Sequence, residues 1–115
     1  MYVMNYVAKK YARENGVVPF DDWISSLSPV FRARVYAYLT RVELGNWGNV
    51  KAIEGAGAKD LFELRMFFGP GYRAYFGKDG DKLILLLCGG DKKTQKRDIK
   101  EAKMLWNEYQ KRKGE

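Results

Sequence analysis

Histidine is absent from this 115-residue chain, and its absence removes much of the common catalytic repertoire. No Ser-His or Cys-His nucleophilic pair can form, and no imidazole can hold a metal. A single cysteine, Cys88, excludes an internal disulfide and a multi-cysteine zinc site. The acidic residues are scattered through turns and helix starts, as at Asp21, Asp22, Asp79 and Asp81, in no cluster that suggests magnesium. No run of about 20 apolar residues and no signal-peptide pattern occurs, so the cytoplasm is the expected compartment and no membrane partner is expected. An enzyme of this composition works with Lys, Arg, Tyr and an occasional carboxylate, without a metal or other cofactor. That set suits phosphodiester chemistry.

The chain is 46% hydrophobic and 15% aromatic, too apolar for disorder. Its length predicts one domain over residues 1–115 with a modest core. A formal charge of +7 favours an anionic partner such as nucleic acid, an acidic protein or a membrane surface. The same charge also serves plain solubility, so by itself it selects none of these.

The remaining pattern is organised around residues 61–90. Phe62, Leu64 and Met66 alternate with Glu63, Arg65 and Phe67, the period-two signature of a half-covered strand. Phe68-Gly69-Pro70-Gly71 breaks the run with residues that reverse a chain cheaply, and Tyr72 to Phe76 resumes it. Asp79-Gly80 marks a second turn, and Leu83 to Cys88 is apolar without interruption, as in a central strand covered on both faces. If Met66 pairs with Tyr72 across a five-residue loop, all six apolar residues of this hairpin share a face. Arg65 then stands directly opposite Arg73, where like charges are unfavourable by up to about 1 kcal/mol. Such a local conflict marks a site for an anion. Alternatively, Glu63, next on that face, neutralises one arginine in a surface ion cluster.

Elsewhere, Tyr2 to Ala8 predicts an N-terminal strand, with Lys9 to Glu14 as its exposed continuation or a turn. Phe20, Trp23, Ile24 and Leu27 make one face of a short helix, with Asp21 and Asp22 in its first turn. Ser28-Pro29 opens a second helix that ends at Gly45. Its Arg32, Arg34 and Arg41 stand outside the apolar stripe, either as a solvated face or in contact with RNA. Trp47 is expected to fold back on the core, and Val50 to Ile53 to form a short strand. Lys51 and Lys59 bracket a small-residue loop near the expected arginine pair. Gly89-Gly90 predicts a sharp turn, followed by a last helix capped by Thr94 or Asp91, with Ile99, Ala102, Leu105, Trp106 and Tyr109 on its apolar face. Lys92 and Lys93 precede that helix, where backbone N–H groups, a positive helix end and two ammonium groups suit a phosphate. Two merely solvated lysines give the same pattern. The glycines do not spell a P-loop, so nucleotide hydrolysis is not expected.

Three motifs together carry a resemblance: Glu63-Leu64-Arg65, then Gly69-Pro70-Gly71-Tyr72-Arg73 with Tyr75, then Gly89-Gly90-Asp91-Lys92 with Thr94, Gln95, Asp98 and Ile99. The combination resembles the RelE/ParE toxin superfamily and, within it, the HigB-like, phage Gp49-like branch of addiction module killer proteins. The resemblance implies an α+β, microbial-RNase-like fold: a small antiparallel sheet, two N-terminal helices packed on one face and a C-terminal helix. It implies the toxin of a type II toxin–antitoxin pair, a ribosome-dependent mRNA endonuclease that inhibits translation. A cognate helix-turn-helix, HigA-like antitoxin would neutralise it. The implied catalytic residues are Arg73, Arg65 and Lys92 or Lys93.

Several positions depart from the family pattern. Glu63 replaces a strand lysine, the helix tyrosine of RelE falls on Asp98 or Ile99, and HigB's active-site histidines are missing. Tyr75 shares the face of Arg73 and is a candidate for stacking a base or for acid–base work. Lys51, Lys59, Tyr72 and Lys96 complete the expected RNA-binding set, and the general base is open between Glu63 and Asp91. The alternatives are a ParE-like, gyrase-directed toxin and a non-catalytic antitoxin-binding or co-repressor module.

Overall fold

The computed structural model describes residues 5–114. Among them five strands form one sheet in the order β1-β5-β4-β3-β2, and three helices flank it. The strands are β1 (Val7–Lys10), β2 (Val50–Ala52), β3 (Leu61–Arg65), β4 (Arg73–Asp79) and β5 (Leu83–Gly90), and the helices are α1 (Pro19–Ser25), α2 (Pro29–Glu43) and α3 (Gln95–Lys113). This is the α+β architecture expected from the sequence. Four strands are antiparallel, but β1 runs parallel to β5, so the sheet is mixed where a purely antiparallel one was expected. The first strand begins later than expected, at Val7, and reaches into the charged Lys9 and Lys10. Tyr2 to Met4 of the expected strand lie outside the described residues.

The sheet separates two cores. Phe20 and Ile24 of α1 and Val35, Leu39 and Val42 of α2 cover one face, packed on Leu64, Ala74, Phe76 and Ile84. Ala102, Leu105 and Trp106 of α3 cover the other, packed on Leu61, Tyr75, Leu85 and Leu87. Strand β5 contributes to both, which explains its unbroken apolar run. An irregularity in the ladder after Tyr75, where Tyr75 faces Cys88 but Phe76 faces Leu86, sends Leu87 and Cys88 to the same core.

Local chemistry sets the helix ends. Ser28 accepts a hydrogen bond from the Phe31 amide, Pro29 occupies the first turn of α2, and Gly45 follows the helix at φ +93°. Trp47 folds back as expected, donating to the Val42 carbonyl and packing edge-on to Phe62 and Phe76. At α3 the cap is shared: Asp91 Oδ1 accepts from the amides of Lys93 and Thr94, while the Thr94 hydroxyl donates to Asp98.

Gly89 and Gly90 do not turn the chain. They continue β5 opposite Ala74 and Arg73. Their role is close approach, because a Cβ on Gly89 would lie 2.2 Å from Trp23 Cε3 and one on Gly90 would lie 1.8 Å from Asp98 Oδ2. The two glycines therefore let α1 and the start of α3 close on the end of β5. Replacing Gly89 by Ala is expected to lower stability by about 2 kcal/mol through overpacking. An unchanged urea midpoint for Gly89→Ala would contradict this packing.

Candidate functional site: a buried carboxylate beneath two arginines

Strands β3 and β4 pair so that Arg65 lies directly opposite Arg73, with Glu63 opposite Tyr75 one step along the same face. The Met66 amide donates to the Tyr72 carbonyl, which extends the ladder by one pair and leaves the five-residue loop read from the sequence. Gly69 at φ +57° and Gly71 at φ +79° close that loop in conformations open to glycine. The expected register is therefore the observed one.

Both guanidinium groups converge on one carboxylate. Arg65 Nε donates to Glu63 Oε1 at 2.8 Å, and Arg73 Nη1 donates to the same oxygen at 3.1 Å. The other oxygen, Oε2, accepts from the Tyr75 hydroxyl at 3.1 Å and from Gln95 Nε2 at 2.8 Å. Glu63 is only 1% exposed. It is thus no member of a surface ion cluster. It is a buried anion that neutralises both arginines in part and ties α3 to the β3–β4 ribbon. Burial pushes its pKa up, but the hydrogen bonds from Arg65, Gln95 and Tyr75 and the charge of Arg73 outweigh burial and hold it below the ordinary glutamate value.

Exposure divides the pair. The Arg65 side chain is 38% exposed, and its two Nη nitrogens have no acceptor among the described residues. Arg73 is 12% exposed, with its Nε buried and unpartnered. Arg65 is therefore the solvated member of the pair, and Arg73 is largely covered. Above them opens a cleft of about 410 Å³, lined by Arg65, Arg73, Tyr72, Phe67 and Lys92 among others. Lys92 packs its stem beside Gly71, where an added Cβ would lie 3.5 Å from its own. Arg65, Arg73 and Lys92, with Glu63 as counter-charge to the two arginines, leave the cleft a surplus of positive charge that suits an anion.

The other expected residues are distributed differently. Tyr75 has no exposed surface, and burial, helped by the Glu63 charge, raises its phenol far above the usual value. It reaches no base from there and serves to hold Glu63. Lys51 pairs with Glu63 across β2 and β3 and is exposed beside a smaller cleft of about 200 Å³ that Arg65 also lines. Lys93 and Lys96 face a separate cleft on the outside of α3, together with Arg97 and Lys100. Lys59 lies before β3, with its carbonyl accepting from the Trp106 indole, at the opposite end of the strand from Arg65. Asp91 caps α3 through its Oδ1, and Glu63 already accepts four donors on its two oxygens, which leaves Glu63 poorly suited to take a proton. Cys88 is buried, and its thiol is raised by that burial, as befits a core residue. Arg34 stacks over Phe68 at 4.4 Å and Arg41 over Tyr38 at 4.8 Å, so two of the α2 arginines are engaged with aromatic rings.

Sequence reasoning missed two contributors. Gln95 belongs to a quoted motif, but its reach to Glu63 depends on where α3 starts. Phe67 is 74% exposed and lines the cleft with Arg65, and its place in the alternation with Glu63 and Arg65 was the signal that could have singled it out.

Comparison with known proteins adds two findings. A model of the family described as "Phage derived protein Gp49-like" matches residues 22–109. A Haemophilus influenzae protein described as "Uncharacterized protein" is 42% identical over 90 residues, spanning 77% of this chain and 87% of that protein. Both stretches include the β3–β4 hairpin and the start of α3 in the case of the family match.

The state of Glu63 has a measurable consequence. Its folded-state pKa lies below the unfolded value of about 4.3, so its ionised form contributes stability that is whole above that pH and disappears as pH falls through the folded value. Glu63→Gln is expected to cost about 3 kcal/mol near neutrality, because it removes one partner of a buried ion cluster. The gap from wild type should narrow below about pH 4 as the wild-type carboxylate protonates. Asp79 and Glu108 are also held low, by Lys113 and by Arg13 respectively, so the diagnostic quantity is the wild-type-minus-variant difference in urea titrations. A gap that stays constant from pH 7 to pH 3 (the titration range) would contradict the role of Glu63.

Proposed function

The chain belongs to the phage-derived, Gp49-like family, and from that premise we propose that it is the toxin of a type II toxin–antitoxin pair acting as a ribosome-dependent mRNA endonuclease. The observation that carries this reading is the Arg65–Arg73 pair, opposed in register, anchored on buried Glu63 and open to a cleft with Lys92. On this reading the finer kinship is with the RelE/ParE superfamily and its HigB branch, and the partner is a helix-turn-helix antitoxin.

The proposed chemistry is cleavage by the neighbouring ribose. The 2′-oxygen bonds to phosphorus while the P–O5′ bond breaks, leaving a 2′,3′-cyclic phosphate and a free 5′-hydroxyl. The free Nη groups of Arg65 and the partly covered guanidinium of Arg73 face the charge that builds on the phosphoryl oxygens. Lys92 donates a proton to the departing 5′-oxygen, and the 2′ proton leaves to water. Glu63 acts through the arginines: one hydrogen bond holds each fork, and Tyr75 and Gln95 hold the carboxylate itself, so little reorganisation remains at the moment of reaction.

One observation favours a second reading. Glu63 already engages both arginines, and Arg73 is mostly covered, as in a structural ion network of a non-catalytic antitoxin-binding module. Cell-free translation with primer extension on the message separates the two. Wild type is expected to cut the message, and Arg65→Ala and Arg73→Ala each to reduce cutting about 100-fold or more. Lys92→Ala should slow it by a similar factor if Lys92 is the acid. Undiminished cutting by a folded Arg73→Ala protein, or none by wild type, would overturn the endonuclease proposal.

A further inference from the structure

Phe67 is 74% exposed, the most exposed of the large apolar side chains named in the two cores and on the surface among the described residues. Its neighbours Met66 and Phe68 are buried at 2% and 7%, so the loop is not loosely held at this point. The Phe67 amide donates to the Tyr38 hydroxyl of α2 at 3.3 Å, which fixes the backbone beneath the ring. Phe67 follows Arg65 by two residues, just past the end of β3. It lines the same cleft as Arg65, Arg73 and Lys92. An isolated surface phenylalanine is ordinary. A phenylalanine held out on a fixed backbone at the mouth of a cationic cleft is placed for a ligand that has both a π-face and a negative charge.

We propose that Phe67 is a stacking platform for an unpaired nucleobase of the RNA whose phosphate the arginine pair holds. This deepens the endonuclease reading and rests on it. Stacking on an exposed ring is tolerant of base identity, because every base presents a π-face. Phe67 would therefore set where along a strand the phosphate is gripped more than which base is read.

The test uses ribosomes programmed with a message that carries 2-aminopurine in the region where wild type cuts and a 2′-O-methyl group at the scissile nucleotide. Wild-type protein is expected to quench the 2-aminopurine fluorescence at one position. Phe67→Trp should retain both quenching and affinity, while Phe67→Ala and Phe67→Leu should lose the quenching and weaken binding by about tenfold. Because the side chain is exposed, all three variants should keep the wild-type melting temperature. Wild-type affinity in Phe67→Leu with loss in Phe67→Ala would assign the ring to an apolar protein contact and overturn the proposal. Wild type that co-sediments with ribosomes and cuts an unmodified message, yet quenches at no position, would also overturn it and leave the endonuclease reading standing. Wild type that neither co-sediments nor cuts would remove both.

Discussion

Two arginines that face each other across a β-ladder repel, and the site depends on how that repulsion is offset. Glu63 sits one pair further along the same face, excluded from water, and takes one hydrogen bond from each guanidinium on a single oxygen. A buried carboxylate carries a large desolvation cost, which only good geometry and saturation of its lone pairs can offset. Here Tyr75 and Gln95 supply the remaining donors, one from β4 and one from the first turn of α3. The hydrogen bonds that keep Glu63 ionised therefore also join strand, strand and helix. Removing the anion would loosen the arginines and the docking of α3 together.

The geometry of that join explains several residues with no polar role. Gly90 admits the Asp98 side chain and Gly89 admits Trp23, so the end of β5 is approached from both faces. The start of α3 is thereby drawn over the β3–β4 ribbon, where Gln95 meets Glu63. At the other end of α3, Glu108 accepts from Tyr11 and Arg13, and Arg112 donates to the Ala12 carbonyl, tying the segment after β1 to the helix. The helix is held at both ends. The mouth of the cleft, with Phe67, Lys92 and the free side of Arg65, stays open to solvent.

Much of this was legible in the sequence, and the reasons differ by element. The Arg65–Arg73 register followed from hydrophobic alternation, since a one-residue slip would have put Leu64 and Met66 on the opposite face from Ala74 and Phe76. The second helix was announced by Ser28-Pro29 and closed by Gly45. Glu63 was visible as a neutraliser, but not as a buried hub, because burial depends on where α3 crosses the sheet and no local pattern encodes that crossing. For the same reason Tyr75 read as an accessible ring, although it lies beneath α3. Gly89-Gly90 read as a turn because glycine serves both turns and close approaches, and only the positions of Trp23 and Asp98 decide between them. The parallel pairing of β1 with β5 is a long-range choice that residues 7–10 do not signal.

The chemistry offered is charge stabilisation more than proton abstraction. Glu63 already accepts four donors, and the one phenol among the proposed catalytic groups, Tyr75, is buried, so the cations are what the fold has arranged in advance. The account therefore turns on whether a phosphodiester sits against Arg65 and Arg73. A structure of the protein on a ribosome programmed with an uncleavable 2′-O-methyl message tests this most directly. The account predicts a phosphoryl oxygen within hydrogen-bonding distance of the free Arg65 nitrogens and of Arg73, with the Glu63 contacts intact. RNA seated instead along the outer face of α3, with the arginine cluster untouched, would contradict it.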